Sequence, residues 1–397
     1  MRTAVVGGGA AGFFLAVNLK EMMPQMYVCI YERSRKVLSK VAISGGGRCN
    51  CTNAFADVGD LSAVYPRGYR LMKRLMHGFD HRAAYAWFER HGVPLTTQDD
   101  GCVFPQSQDA QSVVGCLTEH ARRMGVEVRM SVDVKSMDDV GDYDFVVVTT
   151  GGCRRAEGLQ WLEAMGHEIE TPVPSLFTFN IADEELRRLM GAVVQTATVG
   201  LASTKWRADG ALLLTHWGMS GPAILRLSSY AARYLAERDY KARLMVNWLS
   251  ADEETARNVV LRKMATEQGR RAMANVRPEG LPLHVWQYLL RKCGLDALRW
   301  GELGSKQANR LASVLTADGY DISGRAAHKD EFVTCGGVSL ASVHAATLES
   351  RVRPNLFFAG EVLDVDGVTG GFNFQAAWTT AYTVAKAICG KCGLTEA

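Results

Sequence analysis

The sequence predicts an α/β fold: a doubly wound domain with a mostly parallel sheet, built from both ends of the chain and interrupted by an inserted domain. Three observations predict it. At the start, a β-rich run, a glycine turn, a helical stretch and a second β-rich run follow one another within about 30 residues, as a parallel β-α-β unit requires. At the far end, a hydrophobic strand and a glycine-led helix close the chain. Between them the composition turns β-rich, then helix-rich.

The elements are read in order. Arg2 to Val6 is the first strand, Phe13 to Met23 an apolar helix stopped by Pro24, and Tyr27 to Tyr31 the second strand. Tyr69 to His91 reads as one helix with Trp87 and Phe88 on its apolar stripe, and Gly92 suits its C-terminal stop. Gln111 to Met124 reads as another helix. Val126 to Met130 and Phe145 to Val148 read as strands, the second an unbroken apolar run, as expected of a strand covered on both faces. Thr171 to Pro174, with two prolines, reads as a connector. Ala192 to Val199 and Ala211 to Thr215 are β-rich, Ala251 to Leu315 is helix-rich, and Glu331 to Val333 resumes strand character. Leu356 to Phe358 is a strand, and Gln375 to Ile388 a closing helix. The expected organisation is a first segment 1–174, an inserted domain 175–335 (β-rich 175–250, helical 251–330) and a second segment 336–397.

Composition narrows the function classes. The 397 residues, 47% hydrophobic and 22% charged, are ordinary for a globular chain of two or three domains. A formal charge of +3 gives no clustered basic face, so no nucleic-acid partner is expected; Arg270, Arg271 and Arg277 read as a solvated helix face. No apolar run approaches the ~20 residues of a membrane span, and Ala4 to Val6 runs straight into glycines without the layout of a secretory signal. The expectation is a cytoplasmic protein. The ten cysteines are read as scattered, free and buried, without a zinc or thioredoxin-like site. No metal is expected.

Gly7-Gly8-Gly9-Ala10-Ala11-Gly12 satisfies G-x-G-x-x-G, with a strand before it and a helix after it. Gly7 permits the tight turn, Gly9 close approach to a pyrophosphate, and Gly12 close helix–strand packing. The helix tip, from Ala10 and Ala11, presents free N–H groups to the phosphates. Glu32, followed by Arg33, ends the second strand about 20 residues on, where an acceptor for a ribose hydroxyl belongs. This turn alone serves either FAD or NAD. The far end decides for FAD: Gly360 and Glu361 end a strand, Asp364 follows, and Gly370-Gly371-Phe372-Asn373-Phe374 enter the last helix. That is a second helix tip with glycines, suited to a flavin and its ribityl chain. Ser44-Gly45-Gly46-Gly47-Arg48-Cys49-Asn50 reads as a ligand loop whose consecutive glycines can form an anion nest, with Arg48 as a charged fork.

These blocks, with Thr149-Thr150-Gly151-Gly152, Thr215-His216-Trp217-Gly218-Met219-Ser220-Gly221-Pro222, Thr334-Cys335-Gly336-Gly337-Val338 and Phe358-Ala359-Gly360-Glu361-Val362-Leu363-Asp364, span nearly the whole chain. In them the sequence resembles the bacterial BaiN/RdsA-like FAD-dependent oxidoreductases, the aminoacetone oxidase family. The resemblance implies a split FAD domain and an insertion with a β-barrel-like part and helices. It implies Ala11 at the pyrophosphate, Glu32 on the adenosine ribose, and backbone contact to adenine from Val134. It also implies flavin-side contacts from Ser44, Gly45, Gly360, Glu361, Asn373 and Phe374. Gly46, Cys49, Asn50, Thr150, Gly151, Asp364 and Gly371 complete the expected cofactor set. Where the family carries a small or aliphatic residue, this chain has Cys51; Cys49 and Cys51 read as packed thiols, with a redox pair the alternative. Ser220 suits a helix N-cap with Pro222 in the first turn. His216 reads as packed beside Trp217, with a proton-shuttle role as the alternative.

The catalytic residues stay unassigned. With no second G-x-G-x-x-G, any NAD(P)H is expected to bind transiently. The first expectation is an NAD(P)H-linked reductase of a small unsaturated or carbonyl-conjugated substrate. The alternatives are an amine oxidase of the aminoacetone type releasing hydrogen peroxide, and a non-catalytic flavin-binding redox sensor. Oligomeric state is left open.

Overall fold

Apolar β-branched residues at Val5, Val6, Val28 and Ile30 and the unbroken Phe145–Val148 run need cover on both faces, and the fold supplies it. A computed structural model of the chain describes residues 1–153, 156–326 and 333–393; Glu331, in one expected strand, lies outside the described residues. The chain divides into two units, residues 1–173 with 333–397, and residues 174–332.

The first unit holds a five-stranded parallel sheet. Its strands are β1 (Arg2–Val6), β2 (Tyr27–Glu32), β6 (Glu127–Met130), β7 (Phe145–Val148) and β10 (Leu356–Phe358), in the order β10-β7-β1-β2-β6. The strand from the far end of the sequence thus pairs directly with the first segment, Phe358 beside Val148. Helix α1 (Ala10–Met22) follows β1, and the final helix α6 (Phe372–Lys391) packs beside it. Phe14 of α1 meets Trp378 of α6 at 5.0 Å and Trp87 at 4.5 Å, a fully buried aromatic cluster. A small antiparallel sheet, β3 (Thr52–Asn53), β5 (Cys102–Pro105) and β4 (Leu95–Thr97), lies in the same unit.

The second unit contains a closed six-stranded antiparallel barrel, Val193–Leu201, Arg207–Thr215, Gly218–Ser220, Phe179–Ile181, Asp318–Arg325 and Ala242–Asn247. Beside it lies a helical part that includes Leu283–Cys293 and Ser305–Thr316. The predicted fold class, a Rossmann-type domain with an inserted barrel and helices, is the observed one.

Three local readings are corrected. The helix expected over Tyr69–His91 is two, α3 (Tyr69–Leu75) and α4 (His81–Arg90). Asp80 starts the second by accepting the Ala83 N–H at 2.9 Å, a side-chain cap that propensity alone does not reveal. The Thr171–Pro174 connector is part of a strand, β8 (Ile169–Ser175), paired with β9 (Val333–Val338). A two-stranded sheet has only edges, where proline's missing N–H costs nothing. Ser220 ends a barrel strand, and the N-cap of helix Pro222–Tyr230 is Gly221, whose φ of +92° puts an ordinary residue under strain. The Ser44 loop is a loop as expected: α2 (Ser39–Gly47) breaks at a kink, and Ser44, Gly45 and Gly46 have non-helical backbone angles.

Candidate functional site

The site begins at the tip of α1. Gly7 has φ +117°, and a Cβ there would lie 2.4 Å from the Thr149 carbonyl oxygen. At Gly12 a Cβ would lie 2.0 Å from the Gly7 carbonyl oxygen, so this glycine serves helix–turn packing. Gly9 differs from both. Its φ of −92° and ψ of −166° suit any residue, yet nothing lies within 4 Å of where its side chain would be. Gly9 also caps α1 without a side chain, and the first turn carries no acid. The N–H groups of Ala10, Ala11 and Gly12 belong to the first turn, which has no partner for them within the helix, and the positive end of the helix dipole lies behind them.

Glu32, at the end of β2, accepts the Gly8 N–H at 2.8 Å and the Ser34 N–H at 2.8 Å. Its carboxylate is thus held by backbone of the glycine turn on one side and of the chain just after β2 on the other. Arg33 is exposed beside it. The chain after β6 continues along this edge, Val132 N–H donating to the Glu32 carbonyl at 3.0 Å, and brings the buried Val134 to this end. Thr149 binds back to Val6 and Gly7 through its hydroxyl, at 3.1 and 2.8 Å, which leaves Thr150 exposed and Gly151 at φ +73° next to the turn.

The second segment reaches the same turn. Gly360 has φ +78°, and a Cβ on it would meet the Ala11 Cβ at 2.8 Å. Glu361 accepts the Thr334 N–H at 2.8 Å and pairs with Lys40 of α2 at 2.8 Å. Asp364 accepts the Gly336 N–H at 3.1 Å. Asn373 closes the 367–373 loop by exchanging two 2.8 Å bonds with the Gly367 backbone, and Phe374 stacks on Trp378.

The glycine loop joins these parts. Gly45, Gly46 and Gly47 have φ of +56°, +70° and +85°, and Gly46 and Gly47 have nothing within 4 Å of their Cβ positions. The Ser44 hydroxyl donates to Val41 at 2.9 Å. The Asn50 amide, with its nitrogen toward the Thr52 carbonyl at 2.9 Å, accepts the Gly371 N–H at 3.2 Å and so ties this loop to the α6 tip. A Cβ on Gly371 would lie 2.2 Å from the Thr52 carbonyl oxygen. Trp378 donates to the Cys51 carbonyl at 2.9 Å, and Thr52 to Gln375 at 2.6 Å. Sequence reading did not single out Trp378, because it lies inside an apolar helical pattern.

The expected role of Arg48 changes. The Arg48 guanidinium lies over the Phe104 ring at 4.2 Å and donates to the Gly45 carbonyl at 3.1 Å and to Gln108 at 3.2 Å. In this arrangement it braces the loop. Cys49 and Cys51 are fully buried, with sulfurs 3.7 Å apart. The hydrogen bond from Cys49 and burial push the Cys51 thiol well up, so it stays protonated, as a packed residue does. In the barrel unit, His216 is exposed rather than packed as expected, and lies edge-on to Trp217 at 4.3 Å.

The chain belongs to the HI0933-like Rossmann family. Residues 1–387 match the family described as HI0933-like protein Rossmann domain. The chain is accordingly an FAD-dependent oxidoreductase. It is similar to the ribosomal RNA dihydrouridine synthase of Escherichia coli (strain K12), 27% identical over 406 residues, with 96% of each chain covered. It is also similar to the 3-dehydro-bile acid delta(4,6)-reductase of Clostridium scindens, 25% identical, covering 97% of this chain and 98% of that one. Among solved structures, a 3-ketosteroid delta1-dehydrogenase from Sterolibacterium denitrificans matches in fold, with a TM-score of 0.51, 11% identity and coverage of 98% and 99%.

The residues fit FAD: an uncapped helix tip beside an open glycine for the pyrophosphate, an aimed carboxylate for a ribose, and a second glycine-led tip for the ring end. Replacing Glu32 with Ala is expected to weaken FAD binding about tenfold, or about 1.4 kcal/mol. Flavin fluorescence titration of the apoprotein measures it.

Among the described residues no helix is long and apolar enough to cross a membrane.

Proposed function

We propose that this chain is an NAD(P)H-linked reductase of a carbon–carbon double bond conjugated to a carbonyl. The observation that carries the reading is the second glycine-led tip, Gly370 to Phe374, tied to the first segment through Asn50. When bound, FAD supplies a two-electron centre that takes hydride from a nicotinamide and returns it to the acceptor. The chain's own residues bind and orient. The N–H groups of Ala10 to Gly12 neutralise the pyrophosphate, Glu32 holds the adenosine ribose, and the Val134 backbone meets adenine. Ser44, Gly45, Gly46, Cys49, Asn50, Thr150, Gly151, Gly360, Glu361, Asp364, Gly371, Asn373 and Phe374 shape the flavin side.

The names of the two relatives support reduction over oxidation. A uracil ring and a 3-oxo-4,6-diene both present a double bond conjugated to a carbonyl. Anaerobic NADH or NADPH is expected to bleach the flavin band. A flavin that neither nicotinamide reduces, with hydrogen peroxide released from aminoacetone in air, replaces this reading with the amine oxidase. A flavin inert in both assays replaces it with the redox sensor.

A second reading concerns the substrate's size. The small net charge favours a small molecule, but the charge is unevenly divided. Residues 174–332 hold 22 Lys and Arg against 17 Asp and Glu, and the rest of the chain 23 against 25. In the helical part, an antiparallel bridge between Ala272 and Arg299 sets the exposed Arg270, Arg271 and Arg299 close together. Such a face suits a phosphate backbone, which favours a uracil carried in RNA. Reversing all three charges to Glu is expected to weaken binding of an RNA oligonucleotide more than tenfold and to flatten its salt dependence. Equal binding by wild type and variant restores the small-molecule reading.

A further inference from the structure

One Cys-x-x-Cys does occur, Cys389-Gly390-Lys391-Cys392, and it corrects the reading of scattered cysteines. It lies at the C-terminal end of α6, within a stretch whose helical pattern hides it. Residues three apart on a helix are neighbours on one face. Each thiol faces a thioether. Cys389 Sγ lies 3.7 Å from Met22 Sδ at the end of α1, and Cys392 Sγ lies 3.0 Å from Met1 Sδ. Two sulfur pairs thus lie three residues apart along the end of the last helix, one of them against the end of the first. The cation inside the motif is drawn away: Lys391 Nζ bonds to Asn355 at 2.9 Å and pairs with Glu349. Cys389 is buried, Cys392 is half-buried and Met1 is exposed, so the cluster opens to solvent on one side.

We propose that Cys389, Cys392, Met22 and Met1 form a binding site for a soft monovalent cation, Cu⁺. Thiolates and thioethers together select Cu⁺. Structural zinc draws on cysteine, histidine and carboxylate and makes no use of methionine. A thioredoxin-like role does not suit this place. That chemistry relies on a thiol lowered at a helix N-terminus, whereas this motif sits at a C-terminus and burial pushes Cys389 up to about 11 and raises Cys392. Both thiols are protonated at neutral pH. Coordination therefore releases one proton from each cysteine that binds, and two thiolates with Cu⁺ leave the centre with one negative charge.

The test uses the full-length protein with its flavin, kept reduced under argon and titrated with Cu⁺ against a coloured Cu⁺ chelator. Wild type is expected to hold one more tightly bound Cu⁺ than the Cys389→Ser, Cys392→Ser double variant. The eight remaining cysteines are common to both proteins and cancel in the difference. Met22→Leu is expected to weaken that one equivalent about tenfold, and X-ray absorption to report an all-sulfur shell. Flavin absorbance and circular dichroism confirm that each variant is folded. If Met22→Leu fails to fold, the absorption shell of the wild type still decides between sulfur alone and mixed ligands. Equal Cu⁺ content in wild type and double variant overturns the proposal. So does equal retention of Zn²⁺ and Cu⁺ at the site, or a shell containing nitrogen or oxygen.

Discussion

A Gly9→Val chain is expected to fold normally and to purify without flavin. The backbone at Gly9 sits in the extended region open to every residue, and the space beside it is empty of protein for 4 Å. Valine therefore clashes with nothing in the chain and changes stability by about 0.5 kcal/mol, the usual range for a surface substitution. It fills the approach that a pyrophosphate needs. FAD affinity is expected to fall at least 100-fold, about 2.7 kcal/mol, while circular dichroism and the denaturation midpoint of the apoprotein stay unchanged. Gly12→Ala supplies the contrast. Its Cβ would lie 2.0 Å from the Gly7 carbonyl oxygen, so fold and flavin should be lost together. Similar behaviour of the two variants contradicts the division between a packing glycine and a ligand glycine.

Arg67→Ala is expected to destabilise the first unit by about 3–5 kcal/mol, the cost of leaving one member of a buried pair behind. Arg67 grips Asp366 through Nε at 2.5 Å and through a second, shorter contact, and the Asp366 side chain is 1% exposed. The pair bridges the two ends of the sequence, since residues 67 and 366 also form an antiparallel bridge. Its loss should loosen the 360–374 turn, so flavin release is expected to precede global unfolding in a urea titration. The Arg67→Met, Asp366→Leu double variant, which leaves no buried charge, is expected to recover most of the stability. A single variant as stable as wild type contradicts the role of the pair.

Much of this was legible in the residues. The parallel sheet followed from apolar runs of the right length, and Leu356–Phe358 was placed correctly because a short hydrophobic run bounded by turn residues has few alternatives. The glycine turn was legible because its spacing carries a mechanism. What escaped reading depended on single side-chain bonds or on partners distant in sequence. Asp80 splits one helical pattern into two with one hydrogen bond. Pro172 and Pro174 look like a connector until β9 arrives from about 160 residues away to make their strand an edge pair. Arg48 looked like a phosphate fork because nothing in the local sequence shows Phe104 waiting beneath it. The Arg67–Asp366 pair and the Trp378–Cys51 bond span some 300 residues, and neither partner carries a local signal.

The most direct test of the central claim, that both ends of the chain build one flavin site, is the flavin content of the purified protein after reconstitution with FAD. One FAD per chain, lost in Gly9→Val and sharply reduced in Gly371→Ala at the opposite end of the sequence, is the predicted result. A chain that binds no FAD, or one whose FAD survives intact when Gly371 is replaced, contradicts it.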